Sequence, residues 1–239
     1  MPADQYDFEK GGPRPGFEKQ WLAKLNRCLE ERLPDHAESV MEGAEHQPED
    51  TGPQVIEWTR TLLSRLEKID SGKAADVMAG CACQYPKPRL AEMRKTYQET
   101  GDIDRVHAML QEQFLENTKS FLNLSDEEVE GIEERGWGVA GMRKGDTIIA
   151  TKMPFDWPAY WAEEDPDIRR FHYCHCPRVR GIIKEGGEPL SKTYCYCGAG
   201  FYKGIWEYIL GEPVEVEVQE TVMHGDDVCK IAIRLPRGV

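Results

Sequence analysis

Six of the eight cysteines in this 239-residue chain occur in Cys-x-Cys pairs, and this spacing constrains the fold more than any other feature. In a β-strand, residues i and i+2 point to the same face, so each pair presents two sulfurs on one side. Two such strands side by side would bring four sulfurs to one point, as a tetrahedral thiolate site for zinc requires. The pairs are Cys81/Cys83, Cys174/Cys176 and Cys195/Cys197.

The second and third pairs are predicted to form this arrangement. The segments FHYCHC and KTYCYC have the pattern of strands, and Gly186, Gly187 and Pro189 between them indicate a turn. We therefore predict a zinc site, with an iron–sulfur cluster as the alternative cofactor. The predicted ligands are Cys174, Cys176, Cys195 and Cys197.

Two histidines in FHYCHC are further candidate ligands. His172 has the same strand parity as the two cysteines and is the better candidate, whereas His175 should point to the opposite face. Four thiolates on a divalent ion leave a net charge of about −2, so nearby cations should offset it. Four cations flank the pairs in sequence: Arg178, Arg180, Lys192 and Lys203. They could compensate the metal site, but ordinary surface charge is the favoured interpretation.

The remaining cysteines give less specific predictions. Cys81 and Cys83 stand between a glycine and two prolines, which predicts a tight loop, and they are additional candidate ligands. The sequence leaves open whether this pair joins the other two. Cys28 falls in a helical pattern and Cys229 in the last strand, so both are predicted to be small buried side chains.

Other functions of the thiols stay open. Cys197 directly precedes the helical segment GAGFYKGIWEYIL, and a helix N-terminus would stabilise its thiolate. With His172 or His175 as base, this pattern is also typical of a cysteine-dependent enzyme. Thiol redox chemistry is a further alternative. The remaining alternative is a structural or partner-binding role, in which the thiols are buried or form cross-strand disulfides.

The hydrophobic pattern predicts an α+β fold in which the helices come first. Apolar residues recur at helical spacing through most of the first 135 residues. The segments TIIATKM, VEVEV and VCKIAIRL then alternate like strands, and HGDD between the last two predicts an antiparallel hairpin that packs with the helix GAGFYKGIWEYIL. We divide the chain into a flexible tail (1–15), a helical part (16–135) and an α+β ligand-binding part (136–239).

Charge and hydropathy exclude several classes of protein. The net charge of −13 argues against nucleic acid and against anionic membranes as partners. The sequence contains no run of about 18 apolar residues, so no transmembrane helix is predicted. The N-terminus also lacks the apolar run of a signal peptide. We therefore expect a cytoplasmic protein with reduced thiols and a small-molecule ligand, and the sequence allows a homodimer.

Residues 193–236 combine a thiol-bearing segment, a glycine-rich helix start, the pattern V-x-V-x-V and the motif G-D-x-x-C-x-I-x-I. The residues that carry these features are Gly198, Gly200, Phe201, Gly211, Val214, Val216, Gly225, Asp226, Cys229, Ile231 and Ile233. This stretch resembles the 4-vinyl reductase domain. The resemblance implies a small-molecule-binding α+β domain, related in fold to haem–nitric oxide binding domains and vesicle-tethering subunits, in which cysteines are a suspected zinc site.

In overall layout the chain is similar to the L-2-amino-thiazoline-4-carboxylic acid hydrolase family, which also places helices before a C-terminal α+β unit. That resemblance implies a ring-opening hydrolase as the alternative activity, with Cys197 as nucleophile. The doubled Cys-x-Cys and the Cys81/Cys83 loop depart from both families. The chain looks most like an uncharacterised bacterial and archaeal group with the same cysteine pairs.

Overall fold

The computed structural model describes residues 16–44 and 52–238, together with two short paired strands, β1 (Tyr6–Asp7) and β2 (Gly12–Pro13). Within this part the fold is α+β, as predicted: eleven α-helices accompany a four-stranded antiparallel sheet. Apart from β1 and β2, the predicted flexible tail lies outside the described residues.

Seven helices precede the four-stranded sheet, and local sequence signals set several of their ends. They are α1 (Phe17–Arg32), α2 (Ala37–Met41), α3 (Pro53–Ile69), α4 (Ser71–Gly80), α5 (Ala91–Thr100), α6 (Ile103–Leu122) and α7 (Asp126–Glu134). The carboxylate of Asp102 accepts the backbone N–H of Arg105 at 2.9 Å at the start of α6. Ser125 and Glu128 form a capping box at the start of α7. No helix in the described ranges is long and apolar enough to cross a membrane.

The sheet consists of two hairpins whose inner strands pair with each other. Its strands are β3 (Met142–Lys144), β4 (Thr147–Thr151), β5 (Glu215–Glu220) and β6 (Lys230–Arg234), in the order β3-β4-β6-β5. All neighbours are antiparallel, and Ile233 of β6 lies opposite Ile148 on one side and Val216 on the other. The predicted C-terminal hairpin is therefore confirmed, and its apolar face packs against the predicted helix.

The strands predicted for FHYCHC and KTYCYC are wrong, because this region is helical. It contains α8 (Trp157–Ala162), α9 (Pro166–Tyr173), α10 (Pro177–Glu185) and α11 (Tyr196–Leu210). The carboxylate of Asp165 caps α9, and Pro177 is the first residue of α10. Both residues favour helix starts at these positions. The cysteine–aromatic alternation is too short to distinguish a strand from a helix, so the local start signals prevail.

Two large clusters of buried side chains form the core, and each draws residues from both sides of residue 136. One cluster packs Leu25 and Leu63 against Tyr194. The other packs Leu110 against Trp206 of α11 and the sheet. Fully burying an apolar side chain of this size stabilises the fold by about 1.5–3 kcal/mol. The helical part and the α+β part therefore share their core.

A buried ion pair joins α10 to α1 and α3. The Nε of Arg178 donates to Glu18 Oε2 at 3.1 Å, and its Nη1 donates to Thr59 Oγ1 at 2.5 Å. The guanidinium also lies 4.0 Å from the ring centroid of Trp21. Removing one partner of a buried pair typically costs about 3–5 kcal/mol. The pair therefore fixes the start of α10, directly after Cys176.

Candidate metal centre in a thiol-lined cavity

All three Cys-x-Cys pairs line one cavity of about 590 Å³, together with Cys229. We call this space the thiol cavity. The sequence left open whether Cys81 and Cys83 join the other pairs, and the structure places them in the lining of the same cavity. All eight cysteines lie in the described part of the chain as thiols. The cavity also has an aromatic and apolar side, formed by Tyr85, Phe114, Phe121, Val139 and Phe201.

The first pair reaches the cavity because α4 and α11 approach each other very closely. A Cβ on Gly200 of α11 would lie 1.9 Å from the carbonyl oxygen of Ala79, so only glycine fits there. Helix α4 then ends, and Cys81 and Cys83 follow in the turn beyond it, as the flanking glycine and prolines predict. The Nζ of Lys24 donates to the carbonyl of Ala82 at 3.1 Å and holds this turn against α1.

The second pair lies in the short connection between α9 and α10. The backbone N–H of Cys174 donates to Arg170, and the carbonyl of Cys176 accepts from Arg180, both at 3.0 Å. The sulfur of Cys176 is 3.5 Å from the hydroxyl of Tyr194. The pair is thus held by the helices on both sides of it, and it faces the cavity without belonging to a strand.

The third pair lies at the start of α11, and its two sulfurs diverge. Residues i and i+2 of a helix are about 200° apart around its axis, whereas on a strand they share a face. The Cys195 sulfur lies 3.1 Å from Thr221 Oγ1. The indole N–H of Trp21 faces the Cys197 thiol without ideal hydrogen-bond geometry, and it opposes the rise in the pKa of that thiol.

Burial keeps most of these thiols protonated. Burial raises the pKa of Cys195 and of Cys197 to about 12, and it raises that of Cys174 well above the usual range. The pKa of Cys229 is also raised, again mainly by burial. These side chains are therefore neutral at physiological pH in the metal-free protein. The stabilising effect of the α11 N-terminus on a Cys197 thiolate is smaller than the effect of burial.

Burial has the largest effect on the pKa values of Cys174, Cys195 and Cys197. The next largest effect is repulsion between neighbouring thiolates, and it divides the cysteines into two groups. The ionisation of Cys174 is opposed by Cys176, Cys229 and Cys195, and the largest such effect on Cys195 comes from Cys229. We call these four the first thiol group. The strongest like-charge effect on Cys197 comes instead from Cys83.

Cys28 and Cys197 both raise the pKa of Cys81. Cys81 therefore links Cys28 to Cys197 and, through Cys197, to Cys83. We call Cys28, Cys81, Cys83 and Cys197 the second thiol group. The two groups meet where Cys176 opposes the ionisation of Cys197. The predicted ligand set from sequence thus has three members in the first group and Cys197 in the second.

Cys28 lies outside the cavity lining and next to Cys81, which belongs to it. The pKa of Cys28 is lowered to about 7, because the adjacent Cys81 thiol favours its thiolate and because Arg32 lies nearby. The same neighbour raises the pKa of Cys81 well above its usual range, with burial as the next cause, and the Cys81 thiol donates to the carbonyl of Val77 at 3.4 Å. Cys28 is buried in α1, as predicted, but its electrostatic environment differs from that of an ordinary core residue.

Lys152 is a cation that faces the thiols, and sequence reasoning missed it. Lys152 follows β4, and its charge opposes the rise in the pKa of Cys195, Cys197 and Cys229. Its Nζ lies 3.0 Å from the position that a Cβ would take on Gly198, in the first turn of α11. The only sequence signal was its position at the end of a predicted strand, TIIATKM, far from any cysteine in sequence.

The four flanking cations identified in the sequence have other contacts. Arg178 is in the buried ion pair, and Arg180 is buried with its guanidinium 4.4 Å from the ring centroid of Phe171. Lys192 donates to the carbonyl of Gln219, and Lys203 donates to that of Val214. The expectation of ordinary surface charge is therefore wrong for the two arginines, which are part of the core.

The two histidines exchange their predicted roles. His175 lines the cavity, and His172 is not among the described residues that do so. Burial lowers the pKa of His175 to about 3, so its imidazole is neutral, and its Nε2 lies 2.7 Å from the carbonyl oxygen of Met153. His172 Nδ1 lies 3.7 Å from a carboxylate oxygen of Asp156. The strand parity argument fails here because the segment is not a strand.

The donor set fits a soft metal ion, although the thiols are not preassembled around one. In the metal-free arrangement, no three Cys, His, Asp or Glu side chains of the described ranges are already positioned to hold one metal ion. Neutral thiols have no charge that would draw them to a common point. Metal binding would remove their protons, and rotation about the Cα–Cβ bonds into the cavity would direct the sulfurs inward.

Comparison with known protein families gives a match in the C-terminal part of the chain. Residues 158–238, about a third of the chain, match the model of a family of unknown function, DUF6144. No curated protein and no solved structure matches the chain. The matched segment contains the whole first thiol group and Cys197, whereas Lys152 and the remaining cysteines of the second group precede it.

Proposed function

We propose that this chain is a cytoplasmic small-molecule-binding or sensing protein with a cysteine-thiolate metal centre, of which zinc is the first candidate ion. The observation that carries the proposal is that three Cys-x-Cys pairs and Cys229 line one cavity. Thiols that served only as small core residues would be distributed through the core rather than gathered around one cavity.

The first thiol group is the proposed ligand set. Cys229 takes the position that sequence reasoning gave to Cys197, because the helix at the third pair directs Cys195 and Cys197 apart. Four thiolates on a divalent ion would form a closed tetrahedral site with a net charge of about −2. Lys152 and the positive end of α11 lie beside the group and favour that charge.

The cavity volume supports a ligand in addition to the metal ion. A single ion needs only the space between its ligands, whereas about 590 Å³ is typical of pockets for small organic molecules. The aromatic and apolar side of the cavity would contact the apolar part of such a molecule. The resemblance of residues 193–236 to the 4-vinyl reductase domain supports the same function.

Elemental analysis of the anaerobically purified full chain tests the metal centre. We expect at least about one equivalent of zinc in the wild type, and about one equivalent less in Cys174→Ser/Cys229→Ser. Cys197→Ser is the matched comparison, because it separates the two candidate ligand sets and should leave the first group loaded. Iron with acid-labile sulfide would keep the thiolate centre and identify the alternative cofactor. Absence of metal from the wild type would contradict the proposal.

A cysteine-dependent hydrolase with Cys197 as nucleophile is the second candidate. Its support is the position of Cys197 in the first turn of α11, facing a cavity large enough for a substrate. Its pKa of about 12 and the separation of His172 from the cavity wall make it the weaker candidate. Ring opening of a thiazoline carboxylate that Cys197→Ser abolishes, in protein free of metal, would favour the hydrolase.

A further inference from the structure

We infer that the second thiol group, Cys28, Cys81, Cys83 and Cys197, forms a second metal site, so that the folded chain holds two soft divalent ions. This inference rests on the proposed function, because it assigns a second ion to the edge of the cavity in which the first is proposed, where Cys28 lies next to the lining. It gives a role to Cys28, which the sequence identified only as a core residue.

The four sulfurs come from three elements that pack tightly against one another. Cys28 is in the middle of α1, Cys81 and Cys83 follow α4, and Cys197 is in the first turn of α11. Gly80 allows the first of these approaches, because the Cys28 sulfur lies 2.3 Å from the position that a Cβ on Gly80 would take. The Cys28 sulfur therefore packs against the backbone of Gly80, the residue directly before Cys81.

The second approach joins the turn after α4 to α11. Because Gly200 has no side chain, the carbonyl of Ala79 contacts α11 one helical turn from Cys197. The position that a Cβ on Gly200 would take also lies 2.8 Å from the Cβ of Ala82, the residue between Cys81 and Cys83, and both Cys83 and Cys197 line the thiol cavity. Two glycines at two contacts therefore bring the three elements to one place, and each contact would be blocked by any larger residue.

The charges around the group suit a metal tetrathiolate. Lys24 lies near Cys81, and Arg27 and Arg32 lie near Cys28, whereas Glu31 is the opposing acidic neighbour. Three cations against one anion offset much of the charge of about −2 that four thiolates and a divalent ion would leave. Lys152 is a further cation for both groups, because its charge favours the thiolate of Cys197 as well as those of Cys195 and Cys229.

The alternative is that Cys28 and Cys81 are ordinary core thiols. Both are almost fully buried, at 3% and 1% exposure, and a small apolar environment would suit a thiol. The two interpretations differ in stoichiometry. Core thiols predict one ion and about four displaced thiol protons per chain, whereas a second site predicts two ions and about eight displaced protons.

Native mass spectrometry of the full chain during cadmium titration tests the inference, with cadmium as the probe for a soft divalent ion. We expect about two ions in the wild type and about one in Cys81→Ser/Cys83→Ser. Cys174→Ser/Cys229→Ser is the matched control that should lose the other ion and keep the second. One ion in the wild type, or two in Cys81→Ser/Cys83→Ser, would overturn the second site.

A measurement on the wild type alone covers the case in which a variant does not fold. The native mass of the cadmium-loaded wild type also counts the thiol protons that the ions displace; we expect about eight, and a loss of about four would also overturn the second site. The outcomes separate the two proposals. If the proposed function fails, no cadmium binds or Cys174→Ser/Cys229→Ser has no effect. If only the second site fails, one ion binds and that variant loses it.

Discussion

At the scale of single residues, Lys152 is the side chain whose position matters most for the thiols. It follows the strand β4, and its charge acts on three cysteines that come from two other parts of the chain. In a cavity with low polarity, one positive charge has a large effect on whether thiols ionise. Lys152 therefore couples the end of the sheet to the chemistry of the cavity.

We expect Lys152→Met to weaken zinc binding about tenfold, which corresponds to about 1.4 kcal/mol of lost electrostatic stabilisation of the thiolates. The variant keeps the length and packing of the side chain and removes only its charge. Competition with a chromophoric chelator would measure the affinity. Lys152→Arg, which retains the charge, should stay near the wild-type value. Equal affinities of Lys152→Met and the wild type would show that Lys152 does not stabilise the bound state.

At the scale of elements, the contact of α4 with α11 determines whether the cysteine pairs can meet. The carbonyl of Ala79 occupies the space where Gly200 would carry a side chain, and backbone atoms cannot move aside as a flexible side chain can. Helix α10 provides a matched glycine, because Gly181 has nothing within 4 Å of its would-be Cβ and has a helical backbone.

Gly200→Ala should lower the free energy of unfolding by about 1–3 kcal/mol or more, because the added methyl group forces the two helices apart. Gly181→Ala should instead raise it by up to about 1 kcal/mol, since alanine favours helix and meets no obstacle. Urea unfolding monitored by circular dichroism measures both. If the two variants had the same effect, the close approach of α4 and α11 would not limit stability.

The elements also show what the sequence could predict. The capping residues Asp102 and Ser125 act within one turn of chain, so helix starts were predictable from local pattern. The strands predicted around Cys174 and Cys195 were wrong because alternation over six residues carries no information about tertiary packing. Cys28 and Cys229 join their groups only through contacts between distant segments, so no local pattern could assign them.

At the scale of the whole molecule, the buried thiols make stability depend on pH. The native state holds the protons of Cys195 and Cys197 up to about pH 12, whereas the unfolded chain releases them near the ordinary thiol value of 9.0. The native state therefore binds more protons between these values, and the free energy of unfolding must fall as the pH rises through that window.

In the metal-free protein we expect this fall to begin near pH 9, with a limiting slope of about 1.4 kcal/mol per pH unit for each of the two thiols. Urea unfolding at a series of alkaline pH values would measure it. Cys195→Ala/Cys197→Ala should show a shallower dependence. Loading with zinc should flatten the curve as well, because the bound thiols have already lost their protons. A pH-independent free energy in the metal-free protein would contradict the burial of these groups.

The cavity wall has a consequence for the order in which the protein can mature. The first thiol group spans Cys174 to Cys229, and the second spans Cys28 to Cys197, so each is assembled from segments that a ribosome makes far apart in time. Neither group is complete until nearly the whole chain has emerged and its long-range contacts have formed. Metal would therefore reach this protein after translation, and the supply of free ion at that moment would decide which chains become loaded.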